Sequence, residues 1–220
     1  MDMLIRLICL VGGYGVGLIQ TAYIYGRIKG VDIRKYGSGN AGTTNALRVL
    51  GKKAGLIVFL GDFLKGIIAC SLTHIILGQL DVGNAYMFVL YTGLGVVLGH
   101  NFPFYMHFKG GKGIAASSGV IFSLVFFDWK FLALGFCTFF VVLAVSKYVS
   151  FSSLCLMTGF FIEMIVWGQL NMVQHLNADE KVEAYILVGI MTALSFTRHK
   201  DNIKRLANGT ERKIGQKKEA

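Results

Sequence analysis

The sequence contains little charge and almost no proline. Charged residues make up 15% of its 220 residues, whereas a soluble domain carries about 25%. Its one proline is Pro103, so the chain has few residues that would interrupt a helix. Because 54% of the residues are hydrophobic, this composition excludes an ordinary soluble domain and indicates an integral membrane protein.

Cysteine is also scarce, and the cysteines form no recognisable motif. The four cysteines, Cys9, Cys70, Cys137 and Cys155, lie in apolar runs at unrelated spacings. Such spacings exclude a disulfide framework and a cysteine metal site, and they predict buried, inert thiols. The polar segments likewise lack paired carboxylates and metal-ligand spacings, so we expect neither a metal nor another cofactor.

Long charge-free runs predict transmembrane helices. Residues 7–26 and 82–108 contain no Asp, Glu, Lys or Arg, and about 20 apolar residues are enough to cross a hydrocarbon core of ~30 Å. We therefore predict an all-α integral membrane protein with a single transmembrane domain, residues 1–220, and seven transmembrane helices. The predicted spans are approximately 4–25, 54–78, 84–106, 113–127, 131–147, 151–168 and 182–197. The fourth, fifth and seventh have short charge-free cores, so tilted or partly re-entrant segments stay open as alternatives.

Basic residues are strongly one-sided in this topology. Every Lys and Arg except Arg6, Lys65, Lys130 and Lys181 lies on one side of the predicted bilayer. By the positive-inside rule this side is cytoplasmic, which puts the N-terminus outside and the C-terminus inside. The topology therefore explains the net charge of +10. Because no nucleic-acid-binding module is recognisable, we expect no nucleic-acid partner.

Two charged residues interrupt the second predicted span. Asp62 and Lys65 are three residues apart and therefore share a helical face. Charge inside a membrane is costly and is normally paired or functional. We favour a structural ion pair that orients this span near the site over a direct catalytic role. Glu163 and His74 are interpreted as interhelical hydrogen-bonding groups.

The loop after the first span, residues 37–48, is rich in glycine and in hydrogen-bonding side chains. Small residues allow a tight backbone, and Arg48 can hold a phosphate through two parallel hydrogen bonds. The alternative is a flexible linker, which would not need an arginine and paired asparagines in one turn. The predicted site residues of this segment are Ser38, Asn40, Thr43, Asn45 and Arg48.

Residues 108–113 combine three glycines with two lysines. Glycine brings bare N–H groups close to an anion, and lysine adds a mobile positive charge. If the following apolar run is helical, its N-terminus points at the same place. The alternative is a basic turn that anchors a membrane helix at the lipid headgroups. The predicted phosphate-binding residues are Lys109, Gly110, Gly111 and Lys112.

A third polar segment, residues 198–213, follows the last predicted span. His199 and Asn202 are three residues apart and could share a helical face. The alternative, a polybasic tail held by anionic lipid, suits Lys213 and the residues after it but does not explain the histidine and asparagine.

The predicted topology places these three segments on the cytoplasmic face. Ser152 and Ser153 begin the sixth span at the same face, where they either contact a polar ligand or cap the helix. Fixed cations, amides, hydroxyls and one histidine suit phosphorylated small molecules, and the apolar spans suit a lipid chain. Two alternatives are a transporter of phosphorylated anions, which would need a polar path through the bilayer, and a scaffold that recruits anionic lipid.

Taken together, the three segments resemble the motifs of the bacterial acyl-phosphate-dependent glycerol-3-phosphate acyltransferases, the PlsY family. They read GSGNAGTTNALR at 37–48, GHNFPFYMHFKGGKG at 99–113 and RHKDNIKRLANGTERK at 198–213. The DFLKG stretch at 62–66 is also similar to the family's second span. Ala116 and Ser117 follow the second motif where the family commonly has a threonine.

This resemblance implies transfer of a fatty acyl group from acyl phosphate to the sn-1 hydroxyl of glycerol 3-phosphate. The products would be lysophosphatidic acid and phosphate, in phospholipid biosynthesis, without acyl-CoA or acyl carrier protein as donor. It further implies a multi-pass protein of the cell inner (cytoplasmic) membrane with its active site on the cytoplasmic face. The expected partners are the two substrates and membrane lipids, with no metal, cofactor or nucleic acid.

The resemblance also implies roles for single residues. Ser38, Arg48, His199 and Asn202 match the family's essential residues and are predicted to be catalytic, the glycine–lysine turn matches its substrate phosphate site, and Glu211 is predicted to be structural. Two routes for the hydroxyl proton stay open: His199 removes it, or a substrate phosphate accepts it while His199 orients glycerol 3-phosphate. The second route is slightly favoured. Which of the two phosphates the turn holds is also open.

Overall fold

A computed structural model describes residues 2–80, 82–173 and 176–216, and the chain is helical without strands in these ranges. This confirms the all-α prediction for the described residues. The helices are α1 (Asp2–Gly17), α2 (Thr21–Ile28), α3 (Thr43–Leu50), α4 (Lys52–Leu77), α5 (Ala85–Asn101), α6 (Ile114–Ser123), α7 (Trp129–Ser146), α8 (Val149–Gln169), α9 (Ala178–Arg198) and α10 (Lys200–Ala207). Short 3₁₀ turns occupy Ile33–Lys35, Phe104–Met106 and Leu124–Phe126.

Within the described ranges, five helical segments are long and apolar enough to cross a membrane. They are Asp2–Ile28, Lys52–Leu77, Ala85–Met106, Trp129–Ser146 and Val149–Gln169. The fourth predicted span corresponds to α6 with its 3₁₀ extension, Ile114–Phe126, which is shorter than these five. The seventh corresponds to α9, which carries acidic residues in its first turn. The seven-span topology and its orientation therefore stay predictions.

The first predicted span differs from the expectation because its helix is interrupted. Helix α1 ends at Gly17 and α2 begins at Thr21. The break is stabilised by Lys65, whose Nζ donates to the carbonyl oxygens of Gly17 at 3.2 Å and Ile19 at 2.6 Å. Lys65 also pairs with Asp62 at 3.2 Å, so the predicted ion pair is present. The sequence alone did not indicate that this lysine would serve a second helix.

Side-chain caps begin α5, α7 and α9 at the end of the bundle that faces away from the three polar segments. Asn84 accepts from the backbone N–H of Tyr86 at 3.0 Å, and Asp128 accepts from that of Lys130 at 2.9 Å. Ahead of α9, Asn177 and Glu180 form a reciprocal capping box. Such caps satisfy N–H groups that the first helical turn leaves free. All three helices therefore run from capped ends toward the polar segments.

Helix α5 is the centre of the bundle. In the apolar stretch of the segment Ala85–Met106, which contains α5, 78% of the residues are buried, against 17% in Asp2–Ile28 and 11% in Trp129–Ser146. Buried residues of α5, including Leu90 and Leu94, pack with Met157 and Phe160 of α8 and Val188 of α9. Helices α1 and α7 therefore lie at the periphery, and their exposed apolar faces suit lipid.

Glycine allows α1 to pack directly on the backbone of α5. A Cβ atom at Gly95 would lie 2.1 Å from the Leu10 carbonyl oxygen, and one at Gly99 would lie 2.2 Å from that of Tyr14. From the other side, a Cβ at Gly17 would lie 2.3 Å from the Val96 carbonyl oxygen. Small residues four apart are typical of closely packed membrane helices. The position of α1, and of the break after it, is thus fixed by α5.

We expect Gly95→Ala to destabilise the protein, because its methyl group would overlap the Leu10 carbonyl. Overpacking of this kind costs about 1–3 kcal/mol. Gly12→Ala is the matched control, since a Cβ there meets nothing within 4 Å. Thermal unfolding of the purified variants in one detergent provides the measurement. Equal melting temperatures for Gly95→Ala and Gly12→Ala would contradict the close packing.

Candidate active site

The segment at residues 37–48 is a turn followed by a helix, rather than the loop that was expected. Helix α3 begins at Thr43, after Gly42 as N-cap. Asn45 of α3 is 1% exposed and its side chain organises the turn. Its Oδ1 accepts from the Ser38 N–H at 2.8 Å, and its Nδ2 donates to the carbonyl oxygens of Ile33 and Tyr36, both at 3.1 Å. The amide predicted to bind substrate is therefore committed to holding the Ser38 turn.

Other predicted residues of this segment keep their polar groups free. Ser38 and Arg48 are exposed, while Asn40 and Thr43 are half-buried. Within the described part of the chain these four side chains make no hydrogen bond. The charge of Arg48 interacts with the charged groups of the third segment, including Glu211. The first and third segments therefore lie side by side.

The glycine turn at residues 110–111 is built differently from the expected anion nest. The N–H of Gly110 donates to the Asn101 carbonyl oxygen and that of Gly111 to the His100 carbonyl oxygen, both at 3.1 Å. Arg198 donates to the two glycine carbonyl oxygens, from Nη2 to Gly110 at 2.8 Å and from Nε to Gly111 at 3.1 Å. The expectation that these two amides face a phosphate is thus corrected, because protein groups already bind them.

Both glycines are nevertheless required by packing. A Cβ at Gly110 would lie 2.1 Å from the His100 carbonyl oxygen, and one at Gly111 would lie 2.9 Å from the Ala41 carbonyl oxygen. The turn therefore brings the second segment against the first. Lys109, beside the turn, is exposed.

The groups that remain available to bind an anion are Lys112 and the N–H groups at the start of α6, both just after the turn. Gly113 has φ +83° and precedes α6 without a side-chain cap, so the first N–H groups of α6 lack partners in their own helix and can bind an anion. Lys112 Nζ contacts Asn202 Oδ1. Burial lowers the pKa of Lys112 to about 8, with Glu211 opposing the shift and nearby arginines adding to it. Lys112 is therefore a cation at neutral pH and loses its charge as pH rises through about 8.

His199 lies between α9 and α10 and is 3% exposed. Its Nδ1 is 2.8 Å from the Ser195 carbonyl oxygen, which only accepts, so we assign the proton to Nδ1 and a lone pair to Nε2. Burial and, to a lesser extent, the charge of Lys112 together lower the pKa of His199 to about 4. At neutral pH the imidazole is uncharged and can accept a hydrogen bond at Nε2.

Glu211 joins the third segment to α8. Its Oε1 accepts from Ser150 Oγ at 2.9 Å and from Asn202 Nδ2 at 2.7 Å, and its Oε2 accepts from Arg205 Nε at 2.7 Å. Burial raises the pKa of the Glu211 carboxyl, but the hydrogen bonds from Asn202, Arg205 and Ser150 outweigh burial and hold the pKa below its usual range. The carboxylate therefore stays ionised, and its contacts fit the predicted structural role.

Among the serines at the start of α8, the one that reaches the site was not predicted. Ser152 and Ser153 are buried and donate to the carbonyl oxygens four residues earlier, those of Tyr148 and Val149, at 2.9 and 2.8 Å. Ser150 instead donates to Glu211. Arg198 was also missed, although it opens the third segment. No group of three metal-binding side chains occurs among the described residues.

Comparison with known proteins shows which family this chain resembles. Residues 7–209 match the family described as glycerol-3-phosphate acyltransferase. A glycerol-3-phosphate acyltransferase of Clostridioides difficile (strain 630) is 40% identical over 221 residues, covering 100% of both chains. One of Alkaliphilus metalliredigens (strain QYMF) is 37% identical, covering 97% of this chain and 98% of the relative.

A solved structure shares the fold. The crystal structure of PlsY, an integral membrane glycerol 3-phosphate acyltransferase, in its glycerol 3-phosphate form is 33% identical, with a TM-score of 0.80. The match covers 96% of each chain. The lysophosphatidic acid form of PlsY matches with a TM-score of 0.77.

We expect Asn45→Ala to loosen the Ser38 turn, because three hydrogen bonds from one side chain are lost. Backbone amides in residues 33–45 should then exchange with deuterium faster than in the wild type, while the membrane helices stay protected. Mass spectrometry of the exchanged peptides measures this difference. Asn40→Ala is the control, and equal exchange in both variants would argue against the holding role of Asn45.

Proposed function

The chain belongs to the glycerol-3-phosphate acyltransferase family, and from this premise we propose that it transfers a fatty acyl group from acyl phosphate to the sn-1 hydroxyl of glycerol 3-phosphate. The products are lysophosphatidic acid and inorganic phosphate. The protein works as a multi-pass protein of the inner (cytoplasmic) membrane, with the active site on the cytoplasmic face. The family places the reaction in lipid biosynthesis.

The observation that carries this proposal is the convergence of cations from three distant segments beside one neutral histidine. Three arginines, Arg48, Arg198 and Arg205, lie close enough for their charges to lower the pKa of Lys112. The charges of Lys112 and Arg198 in turn lower the pKa of His199. Glu211, an acid that also takes part in these interactions, accepts hydrogen bonds from Asn202, Arg205 and Ser150. Two anionic substrates repel each other in water, so an enzyme that joins them must first neutralise both and align their reacting atoms.

The reaction balances without any further reactant. The sn-1 oxygen of glycerol 3-phosphate forms a bond to the acyl carbonyl carbon, and the carbonyl oxygen becomes a tetrahedral oxyanion. As the intermediate collapses, the carbon–oxygen bond to phosphate breaks and its electron pair leaves with the phosphate. The hydroxyl proton is transferred to a phosphate oxygen.

The free groups of the site suit these steps. We assign the phosphates to Arg48 and Lys112, which present a fork of donors and a point charge respectively. The exposed Ser38 hydroxyl and the free N–H groups at the start of α6 complete the donors available to the phosphates and to the oxyanion. Asn202 positions Lys112 through its side-chain oxygen.

The state of His199 favours substrate assistance over general-base catalysis. An imidazole with a pKa of about 4 is a weak proton acceptor at neutral pH. A phosphate whose second pKa is about 6 accepts the proton more readily. His199 Nε2 then orients the hydroxyl by accepting its hydrogen bond, and the proton moves to phosphate during attack.

An apolar groove beside the site suits the acyl chain. It measures about 400 Å³, and Phe151, Leu154 and Ile162 of α8 line it together with Phe196 of α9. Phe151 directly follows Ser150, the residue that binds Glu211. A chain lying in this groove would therefore bring its carboxyl end to the polar segments.

The donor assay tests the proposed function. Purified protein incubated with glycerol 3-phosphate and palmitoyl phosphate should release inorganic phosphate and form 1-acyl-glycerol 3-phosphate. Palmitoyl-CoA and palmitoyl-acyl carrier protein should give no product. Arg48→Lys, which cannot form two parallel hydrogen bonds, should lower kcat/KM at least about tenfold. Absence of phosphate release above a protein-free control would refute the proposal, and activity with palmitoyl-CoA would refute the donor.

The variant His199→Gln distinguishes the two routes for the proton. We expect a higher KM for glycerol 3-phosphate with kcat within about tenfold of wild type, because loss of a general base costs about 10²- to 10⁴-fold. Since the pKa of His199 is about 4, the imidazole protonates only as pH falls through about 4. Wild-type kcat should therefore show no acid limb from this residue between pH 5 and 8.

The exposed His107 provides the control, and His107→Gln should behave like wild type. A fall in kcat of about 10²-fold or more in His199→Gln, with KM unchanged, would instead identify His199 as the base.

A further inference from the structure

A buried group of charged and polar side chains lies beside the break between α1 and α2. Asp62 and Lys65 of α4 are 1% and 4% exposed, and His100 of α5 is 3% exposed. Charged groups among apolar helices are costly unless they are paired. Asp62 Oδ1 lies 3.2 Å from Lys65 Nζ and accepts from Thr21 Oγ1 at 3.0 Å. The ion pair is thus attached to the start of α2.

Lys65 uses its three N–H donors on two other helices and on the break between α1 and α2, while Asp62 contributes the opposite charge. Its Nζ donates to the Gly17 and Ile19 carbonyl oxygens and to His100 Nδ1 at 2.8 Å. Because Nδ1 accepts this hydrogen bond from an ammonium group, His100 is neutral and carries its proton on Nε2. One ammonium group therefore ties α4 to the end of α1 and to the last turn of α5.

His100 carries this connection to the glycine turn of the active site. Its carbonyl oxygen accepts from the N–H of Gly111 at 3.1 Å and from Gln20 Nε2 at 3.0 Å. Its ring packs against the turn so closely that a Cβ at Gly111 would lie 2.0 Å from His100 Nε2. Gly111 directly precedes Lys112, the cation assigned to a phosphate.

We propose that Lys65, acting through His100, is a positioning residue that sets the glycine turn and Lys112 for binding of a phosphate substrate. Lys65 does not touch substrate. Its ammonium fixes the His100 ring, and the ring and carbonyl of His100 fix Gly111 from one side while Arg198 holds the glycine carbonyls from the other. A displacement of even 1 Å at such a position can cost about 100-fold in rate or binding.

This inference rests on the proposed function, because its readout is the KM of each phosphate substrate. Lys65→Met keeps the length of the side chain but removes the ammonium, and it leaves Asp62 as an unpaired buried charge. The double variant Asp62→Asn/Lys65→Met removes both charges, so it tests the lost contact with His100 without that imbalance. Steady-state kinetics are measured in one detergent, with the melting temperature of each variant.

The control is Arg6→Met, which removes a half-buried, ion-paired cation from the opposite end of the bundle. Arg6 pairs with Asp2 at 2.8 Å and Glu183 at 3.0 Å, and its side chain is 12% exposed. It has no contact with the glycine turn among the described residues. A general effect of losing an ion pair between helices should therefore appear in this variant as well.

We expect the double variant to raise the KM of at least one phosphate substrate about tenfold or more, with kcat within about threefold of wild type. Arg6→Met should keep both wild-type KM values, even where its melting temperature falls. Wild-type KM values in the folded double variant would overturn the inference, as would an equal rise in KM in Arg6→Met. A wild-type protein without activity would instead refute the proposed function.

Discussion

Where a helix ends inside an apolar bundle, its last backbone carbonyl groups have neither a helical N–H partner nor water to bind. The protein must therefore supply a hydrogen-bond donor. The chain leaves its first helix at Gly17, and Lys65 supplies that donor from α4. The break turns the chain into α2, which leads to the Ser38 turn. Glycine contacts hold α1 on α5, so the break and the end of α5 lie together. Both the first and the second polar segment are thus placed by one buried junction.

The site divides its side chains between those that hold the backbone and those that are free to bind. Asn45 and Arg198 donate hydrogen bonds to backbone carbonyl oxygens. Glu211 accepts hydrogen bonds from side chains of the third segment. Ser38 and Arg48 make no side-chain hydrogen bond within the described ranges. Because the holding groups are already satisfied, the free groups can meet substrates without the backbone having to rearrange.

The sequence indicated the all-α architecture, the three polar segments and the Asp62–Lys65 pair, because periodicity and charge are local properties. It did not indicate which polar groups face each other. An asparagine in a turn can bind a ligand or its own backbone, and only the fold shows that Asn45 does the latter. The same holds for the amides of Gly110 and Gly111, since their acceptors lie on α5. The break after Gly17 could not be predicted from the local sequence, because the lysine that stabilises it lies 48 residues away.

The contact between Lys112 and Asn202 joins residues 90 positions apart, and that between Arg198 and Gly110 joins residues 88 apart. Helix α10 packs against α8 and α9, and Glu211 attaches the segment after it to Ser150 of α8. If this segment undocks while the bundle stays folded, Lys112 loses the partner that positions it. The cation of the second segment is therefore held in place by the last part of the chain, so correct docking of that part is a condition for a complete site.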